Sequence, residues 1–476
     1  MAENHPAESA VAGPERVPFW RSVGQALRGE QHDYTSEPLN RAVLLLSVPM
    51  VLEMVMESLF AVADVFWVSR LGRDAVAVVG LTESVMTLIY AVAIGISIAA
   101  TAIVSRRIGE QDPEGAAHAA GQIVLLGIGV SAGLGLLLGG IAPQILRFMG
   151  ADESIVTLGS DFMRVMLGGN ATVFLIFLIN AIFRGAGDAV IAMRTLWLAN
   201  ALNIALGPCF IFGWGPFPEM GVAGAAVATN IGRGVGVLYQ IWHLAGHHSR
   251  VRVRWRHLRP DRPLLVSILS TAGSGIAQLL ISTTSWVGLF KILALFGSGA
   301  LAGYTIAIRI VIFALMPAWG LANAGATLVG QNLGAEKPDR AEAAVWIATP
   351  YNTLFLGIVG VLFVALAYPL ARLFTADPEV LAYARQALWI ISLALPLYAA
   401  GMCLESAFNG AGDTWVPARL NFYCLWLGQI PLAWLLAHTF GFGPTGVFIA
   451  VPVAFSALAL WSAVLFRRGQ WKLKRV

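Results

Sequence analysis

Charge is what this chain has least of. Asp, Glu, Lys and Arg make up 12% of its 476 residues, about half of the roughly 25% usual in soluble domains. The runs Ala116–Leu146, Val165–Phe183, Pro263–Phe290, Ile310–Ala335, Ala343–Ala371 and Leu420–Phe466 contain none of the four. Buried helices of a large soluble protein would need polar sequence around them, and hydrophobic residues reach 57% here. Cysteine is scarce too. Cys209, Cys403 and Cys424 all lie inside apolar runs, which excludes a disulfide framework. No phosphate-cradling Walker loop, nucleophile elbow or HExxH helix is found, so neither ATP hydrolysis nor an embedded protease or transferase is expected of this chain. The opening 38 residues, with Arg16, Arg21 and Arg28 among several acids, lack the apolar core and cleavage site of a signal peptide.

What is present is a succession of apolar segments. A helix needs about 20 such residues to cross the roughly 30 Å hydrocarbon core. The pattern predicts an all-α integral membrane protein with about twelve spans. They fall near 41–68, 78–104, 119–146, 161–183, 189–213, 221–245, 264–290, 299–330, 343–371, 384–408, 416–438 and 444–466. Phe440–Pro444 (FGFGP) punctuates the longest run where a turn is required. Val17–Leu27 suits a short helix lying on the membrane surface. The 50 glycines suit close helix packing, and Pro49, Pro208, Pro317, Pro396 and Pro431 fall inside spans as candidate kinks.

Basic residues collect on one side of this topology. Arg250, Arg252, Arg254, Arg256, Arg259 and Arg262 lie between spans six and seven. Arg106, Arg107, Arg184, Arg194, Lys337, Arg340 and the tail from Arg467 to Arg475 fall on the same side. Gly213–Met220 on the other side is poor in Lys and Arg. By the positive-inside rule both termini are expected in the cytoplasm, with the chain in the plasma membrane, or the inner membrane of a bacterium. The arginine run is a topology signal; no nucleic-acid partner is expected.

The chain also repeats. Phe183–Asp188 reads FRGAGD and Phe408–Asp413 reads FNGAGD, 225 positions later. The same shift carries Gly72 to Gly297, Gly109 and Pro113 to Gly334 and Pro338, and Ala151–Asp152 to Ala376–Asp377. Six spans per repeat is an even number, so the halves share one orientation and a pseudo-two-fold axis along the membrane normal. Such parallel repeats are a transporter architecture. The expected division is an N-terminal segment 1–40, a first six-helix bundle 41–245, a basic linker 246–263, a second bundle 264–466 and a basic tail 467–476.

The paired GAGD loops, Asp64–Gly72 (DVFWVSRLG), Asn203–Phe212 (NIALGPCFIF) and Gly221–Thr229 (GVAGAAVAT) together resemble the multidrug and toxic-compound extrusion family over roughly residues 40–466. The resemblance implies a secondary-active exporter of drug-like, often cationic, organic molecules, driven by inward H⁺ or Na⁺ and needing no other cofactor. It also implies a chain working as a monomer among lipids, and not an enzyme. A lipid-linked saccharide flippase of the same superfamily is the neighbouring reading, but such carriers usually have basic cavity residues.

The first span holds Glu53, Glu57 and Asp64, whose spacings of 4, 7 and 11 place them within about 40° of one azimuth. Intramembrane charge costs at least about 2.5–3.5 kcal/mol, so this stripe must face water, a partner or the bundle interior. By the resemblance, Asp64 matches the family's first-helix aspartate, and Asn203 and Thr229 match its companions. The fifth-helix acid of relatives is replaced by Gly207. The loss of one anionic oxygen tilts the expectation from Na⁺ toward H⁺. In the second half Gln278 stands where Glu53 stands in the first, and Glu405 lies near the arginine-rich end of its span, where a snorkelling structural acid is expected. Lys291 and Arg309 are the buried-looking cations; Lys291 is expected to snorkel from its span end, and Arg309, ten residues into its helix, to pair with an acid on another helix. His243 and His247 lie four apart with His248 adjacent, but without a third ligand no metal site is expected.

Overall fold

The computed structural model describes residues 19–246 and 249–474. Among them every regular element is helical. The elements are α1 (Phe19–Arg28), α2 (Leu39–Ser69), α3 (Arg73–Gly109), α4 (Pro113–Gly140), α5 (Ala142–Phe148), α6 (Glu153–Gly168), α7 (Asn170–Ala186), α8 (Ala189–Phe212) and α9 (Val222–Ala245) in the first half. The second half holds α10 (Arg262–Ala294), α11 (Ser298–Gly334), α12 (Pro338–Ala365), α13 (Ala367–Arg372), α14 (Pro378–Ser392) and α15 (Leu395–Gly410), followed by the spans Trp415–Thr439 and Pro444–Arg467. Ten segments are long and apolar enough to cross a membrane, and α14–α15, bent by 56°, makes an eleventh. The twelfth is α9. Its 24 residues reach about 36 Å, but Asn230, Arg233 and Gln240 dilute its hydropathy. The short α1 lies where the surface helix was expected, although Val17 and Pro18 fall outside the described residues.

The repeat is conformational as well as chemical. Helices α3 and α11 both have 37 residues and α4 and α12 both have 28, each pair starting 225 positions apart. Gly72 and Gly297, before α3 and α11, have φ of 99° and 102°. Gln111 and Glu336, also 225 apart, are the two non-glycine residues with positive φ among those described, both at 58°. The buried apolar residues form one large core within 68–272 and another within 289–451. Of the five prolines, Pro49, Pro208 and Pro317 sit inside α2, α8 and α11. Pro396 instead starts α15, after the bend, and Pro431 follows a π-helical stretch, Phe422–Gln429.

The halves meet through small residues arranged about the pseudo-two-fold. A Cβ at Gly109 would overlap the backbone of Gln331, and one at Gly334 would overlap the backbone of Arg106, the symmetry-related place. Deeper in, Gly95 abuts Ile276 and Gly320 abuts Met50 and Val51, again as symmetry mates. These contacts lie in the halves of α2, α3, α10 and α11 nearer the arginine-rich face. Thr327 Oγ1 and Gln331 Nε2 donate to the carbonyls of Arg184 and Gly185 at 3.1 and 2.9 Å. Backbone this close tolerates no side chain, so the geometry reads as a closure at that end.

The segment 29–38 straps the same face. Tyr34 is buried and its hydroxyl donates to the Gly187 carbonyl at 3.3 Å. Burial pushes the phenol up to about 12, so it remains a neutral donor at any working pH. Arg250 from the linker stacks on its ring and donates to the His32 carbonyl. From the second half, Lys337 Nζ donates to the Thr35 carbonyl at 2.9 Å and Arg340 to those of Tyr34 and Glu37.

Gly334→Val should force the halves apart at this end. A single cysteine at Ser105, buried against Gly330 in a background lacking the three native cysteines, should then react with maleimide at least about tenfold faster, equivalent to about 1.4 kcal/mol of opening. Unchanged labelling would show that the contact does not hold the closure.

Candidate functional site

The stripe on α2 is met by three other helices, each bringing a polar side chain into the first bundle. Helix α7 supplies Arg184 and Asn180, which lie one turn apart. Arg184 Nη1 donates to Glu53 Oε1 at 2.8 Å and Asn180 Nδ2 to the same oxygen at 3.2 Å. Gln240 on α9 fixes the amide from behind, its Nε2 donating to Asn180 Oδ1 at 2.6 Å and to the Ile176 carbonyl at 3.1 Å. Glu53 is 1% exposed. An ion pair this deep needs several bonds to offset desolvation, and it has them. Glu53 is neutralised.

One turn further along, Glu57 accepts from Asn200 Nδ2 of α8 at 2.9 Å. Arg233 of α9, buried in the protein, approaches Glu57 Oε1 at 3.8 Å and donates to Tyr90 Oη at 3.1 Å. Its guanidinium also lies 5.7 Å from the Phe60 ring centroid and 5.9 Å from that of Tyr90. The arginine is held by a hydroxyl and two rings and touches Glu57 only loosely. That leaves its charge felt by the remaining acids, Asp64 on α2 and Glu83 on α3.

Asp64 is half-buried and Glu83 exposed, and neither makes a hydrogen bond or ion pair among the described residues. Asn203 and Thr229 are brought together: Asn203 Nδ2 donates to Thr229 Oγ1 at 2.7 Å, and that hydroxyl donates to the Ala225 carbonyl at 2.9 Å. Asp64 makes no direct bond to either. Beside Asn203, a Cβ at Gly207 would meet only Trp67 Cδ1 at 3.7 Å, so the place of the missing carboxylate is open. Trp67 packs with Phe212 and Trp214 at centroid distances of 6.3 and 6.1 Å, an aromatic wall next to the polar stripe.

The first bundle thus holds four acids, Glu53, Glu57, Asp64 and Glu83, against two buried-site cations, Arg184 and Arg233. If all were ionised, two negative charges would remain. Lys291 is exposed, as a snorkelling side chain would be, and Arg309 is exposed too, which corrects the expectation of a buried cation paired with an acid on another helix. Glu405 is corrected as well. Rather than snorkelling, it turns Oε1 into the protein, buried and without a donor, as Gln278 does its own Oε1. His247 and His248 lie outside the described residues, and the described ones hold no cluster of three metal-ligating side chains.

The family model described as MatE matches residues 49–209 and 274–435, two segments starting 225 positions apart. The chain is similar to the probable multidrug resistance protein NorM of Thermotoga maritima, 27% identical over 92% of this chain and 94% of the relative. It is also similar to a protein named FAD transporter in Shewanella oneidensis, 26% identical over 89% and 93%. Among solved structures, a multidrug resistance MATE family transporter described as outward-facing matches with a TM-score of 0.86 and 27% identity, covering 93% of this chain and all, 100%, of that one. A Pyrococcus furiosus transporter of the MOP superfamily, whose binding pocket is described as reversed in polarity, matches with a TM-score of 0.87 and 27% identity over 94% and 100%.

Arg184→Met should strand Glu53 as a buried unpaired carboxylate and cost about 3–5 kcal/mol, read as a large fall in melting temperature of the purified protein. Adding Glu53→Gln should recover most of it. A double variant no more stable than Arg184→Met would mean that the pair's charge is not what matters.

Proposed function

The chain belongs to the MatE family, and we propose that it exports drug-like organic cations in exchange for protons, using the unpaired acids of the first bundle as the coupling site. The observation that supports this most is the excess of carboxylates over cations: Glu53 and Glu57 are occupied by Arg184, Asn180 and Asn200, while Asp64 is left without a bond. A carboxylate in that position either carries a proton or faces a cation. The two therefore compete. A proton on Asp64 removes the charge that attracts an organic cation, and release of that proton restores it. Arg233, held by Tyr90 and Phe60 and only loosely engaged with Glu57, is the cation nearest to this exchange.

Na⁺ fits less well. It needs several oxygens around it, and Thr229 already spends its proton on a backbone carbonyl and a lone pair on Asn203. The aromatic wall around Trp67 suits stacking and cation–π contact with flat cargo. The closed face is the arginine-rich one, which the positive-inside rule assigns to the cytoplasm together with both termini. On that assignment the halves are shut inward, as in the outward-facing relative. A cysteine at Arg254 should therefore label only from the cytoplasmic side and one at Gly215 only from outside. Labelling of both from outside would overturn the orientation.

The coupling is tested in vesicles holding the purified protein and a fluorescent organic cation, with H⁺ and Na⁺ gradients imposed separately. The pH gradient alone should drive export, and exchanging Na⁺ for choline should change little. Asp64→Asn should reduce pH-driven export by at least about a hundredfold, roughly 2.7 kcal/mol. Gly207→Asp should create dependence on Na⁺ by restoring the absent oxygens. Export driven by Na⁺ at symmetric pH in the unmodified protein, or transport of FAD without transport of the cation, would sink this reading.

A further inference from the structure

In the first bundle the buried acid Glu53 lies on α2 and its amide partner Asn180 on α7. Shifted by 225 positions, the same two places hold Gln278 on α10 and Glu405 on α15. Acid and amide have changed places. The third member differs too: Arg184, which neutralises Glu53 at 2.8 Å, has Asn409 as its counterpart. The first bundle therefore holds an acid, an amide and a cation, and the second an acid and two amides. The consequence is visible in the hydrogen bonding. Glu405 Oε1, Gln278 Oε1 and Asn409 Oδ1 are all buried, and none has a donor.

The surroundings of Glu405 supply no charge to replace Arg184. The titratable groups near it are Tyr398 and Cys403 on its own helix and Cys424 in Trp415–Thr439. Cys403 is already engaged with Asn352 Nδ2 at 3.4 Å. Helices α3, α11 and α12 and the span Pro444–Arg467 also pack on α15, and none brings a charged side chain against the carboxyl. Glu405 is half-buried, and with Oε1 turned inward away from any cation or donor among the described residues the charged form is disfavoured against the acid that keeps its proton.

We propose that Glu405 is a second proton-carrying site, set in the second bundle, and that it is protonated in the conformation described here. The acid form turns two acceptors into one donor and one acceptor. Asn409 stands one helical turn along α15, so its orphaned Oδ1 is the acceptor placed to take the Glu405 O–H. Release is a simple transfer to water: the O–H bond breaks, the proton passes to water entering from whichever face is open, and that water solvates the carboxylate. Helix α15 follows a 56° bend after α14 and carries contacts to α3 of the other half. A rearrangement of the halves therefore changes what covers Glu405.

The purpose of this proton rests on the antiport proposed above, but its presence is tested without transport. Full-length protein in lipid vesicles is titrated by infrared spectroscopy in potassium buffer, following the carbonyl band of protonated carboxyl groups. At neutral pH, Glu405→Gln should lose the intensity of one carboxyl relative to wild type, and Glu405→Asp should restore a shifted band. Asn409→Leu should move the band to higher wavenumber by removing its acceptor, a shift that a merely structural glutamate would not give. It carries the same test should Glu405→Gln fail to fold. Superimposable spectra of wild type and Glu405→Gln would overturn the proposal, as would loss of the band on replacing potassium by sodium at constant pH. Wild-type vesicles that show the band but no pH-driven export would refute the antiport alone.

Discussion

A charged side chain inside a membrane bundle must find its counterpart within the protein, and much of the first half is arranged around that requirement. Three acids on one face of α2 cannot be left to lipid. Helices α7, α8 and α9 each answer with a side chain at the matching depth: Arg184 with Asn180, Asn200, and Arg233. Where the answer is complete, at Glu53, the result is a fixed structural pair. Where it is loose or missing, at Asp64 and Glu83, the side chain has no fixed partner among the described residues. The same physical rule thus builds both the scaffold and the reactive part of the site, and the number of bonds decides which is which.

The sequence carried the architecture unusually far, because a membrane span and an exact repeat are both one-dimensional signals. The shift of 225 positions relates the ends of α3 and α11 to the residue and the backbone at Gln111 to that at Glu336, although the spans drawn from hydropathy, 78–104 and 299–330, stop short of those ends. The azimuth of Glu53, Glu57 and Asp64 was equally legible from spacing. What stayed hidden was every relation between helices. Arg233 sits among glycines in a helix of low hydropathy, and Arg184 at a span end reads as a topology signal, so neither announced itself as a buried partner. Arg309 looked buried because it interrupts an apolar run, yet a run has two faces and this side chain is exposed. Glu83 drew no notice because the other acid of α3, Asp74, lies nine residues away on the opposite face. A periodicity reports which way a side chain points and leaves open what it meets there.

The internal symmetry is kept where the halves must fit and abandoned where they must differ. Gly95, Gly109, Gly320 and Gly334 occupy paired places because closure at one end brings backbone against backbone from both sides of the axis. The polar interiors obey no such constraint, and there the acid, the amide and the cation have been redistributed between the bundles. A molecule with two equal bundles would treat any ion equally in both. This one has two unlike interiors within one matching shell.

The strap over the arginine-rich face bears on the order in which the molecule is made. Tyr34 precedes α2, yet its anchors lie at Gly187, Arg250 and Arg340, and Lys337 holds its neighbour Thr35. Synthesis runs from the N-terminus, so Gly187 and Arg250 are made, and can hold Tyr34, before Lys337 and Arg340 exist. The strap is thus fastened in two stages, first to its own half and then, through the carbonyls of Thr35, Tyr34 and Glu37, to the other.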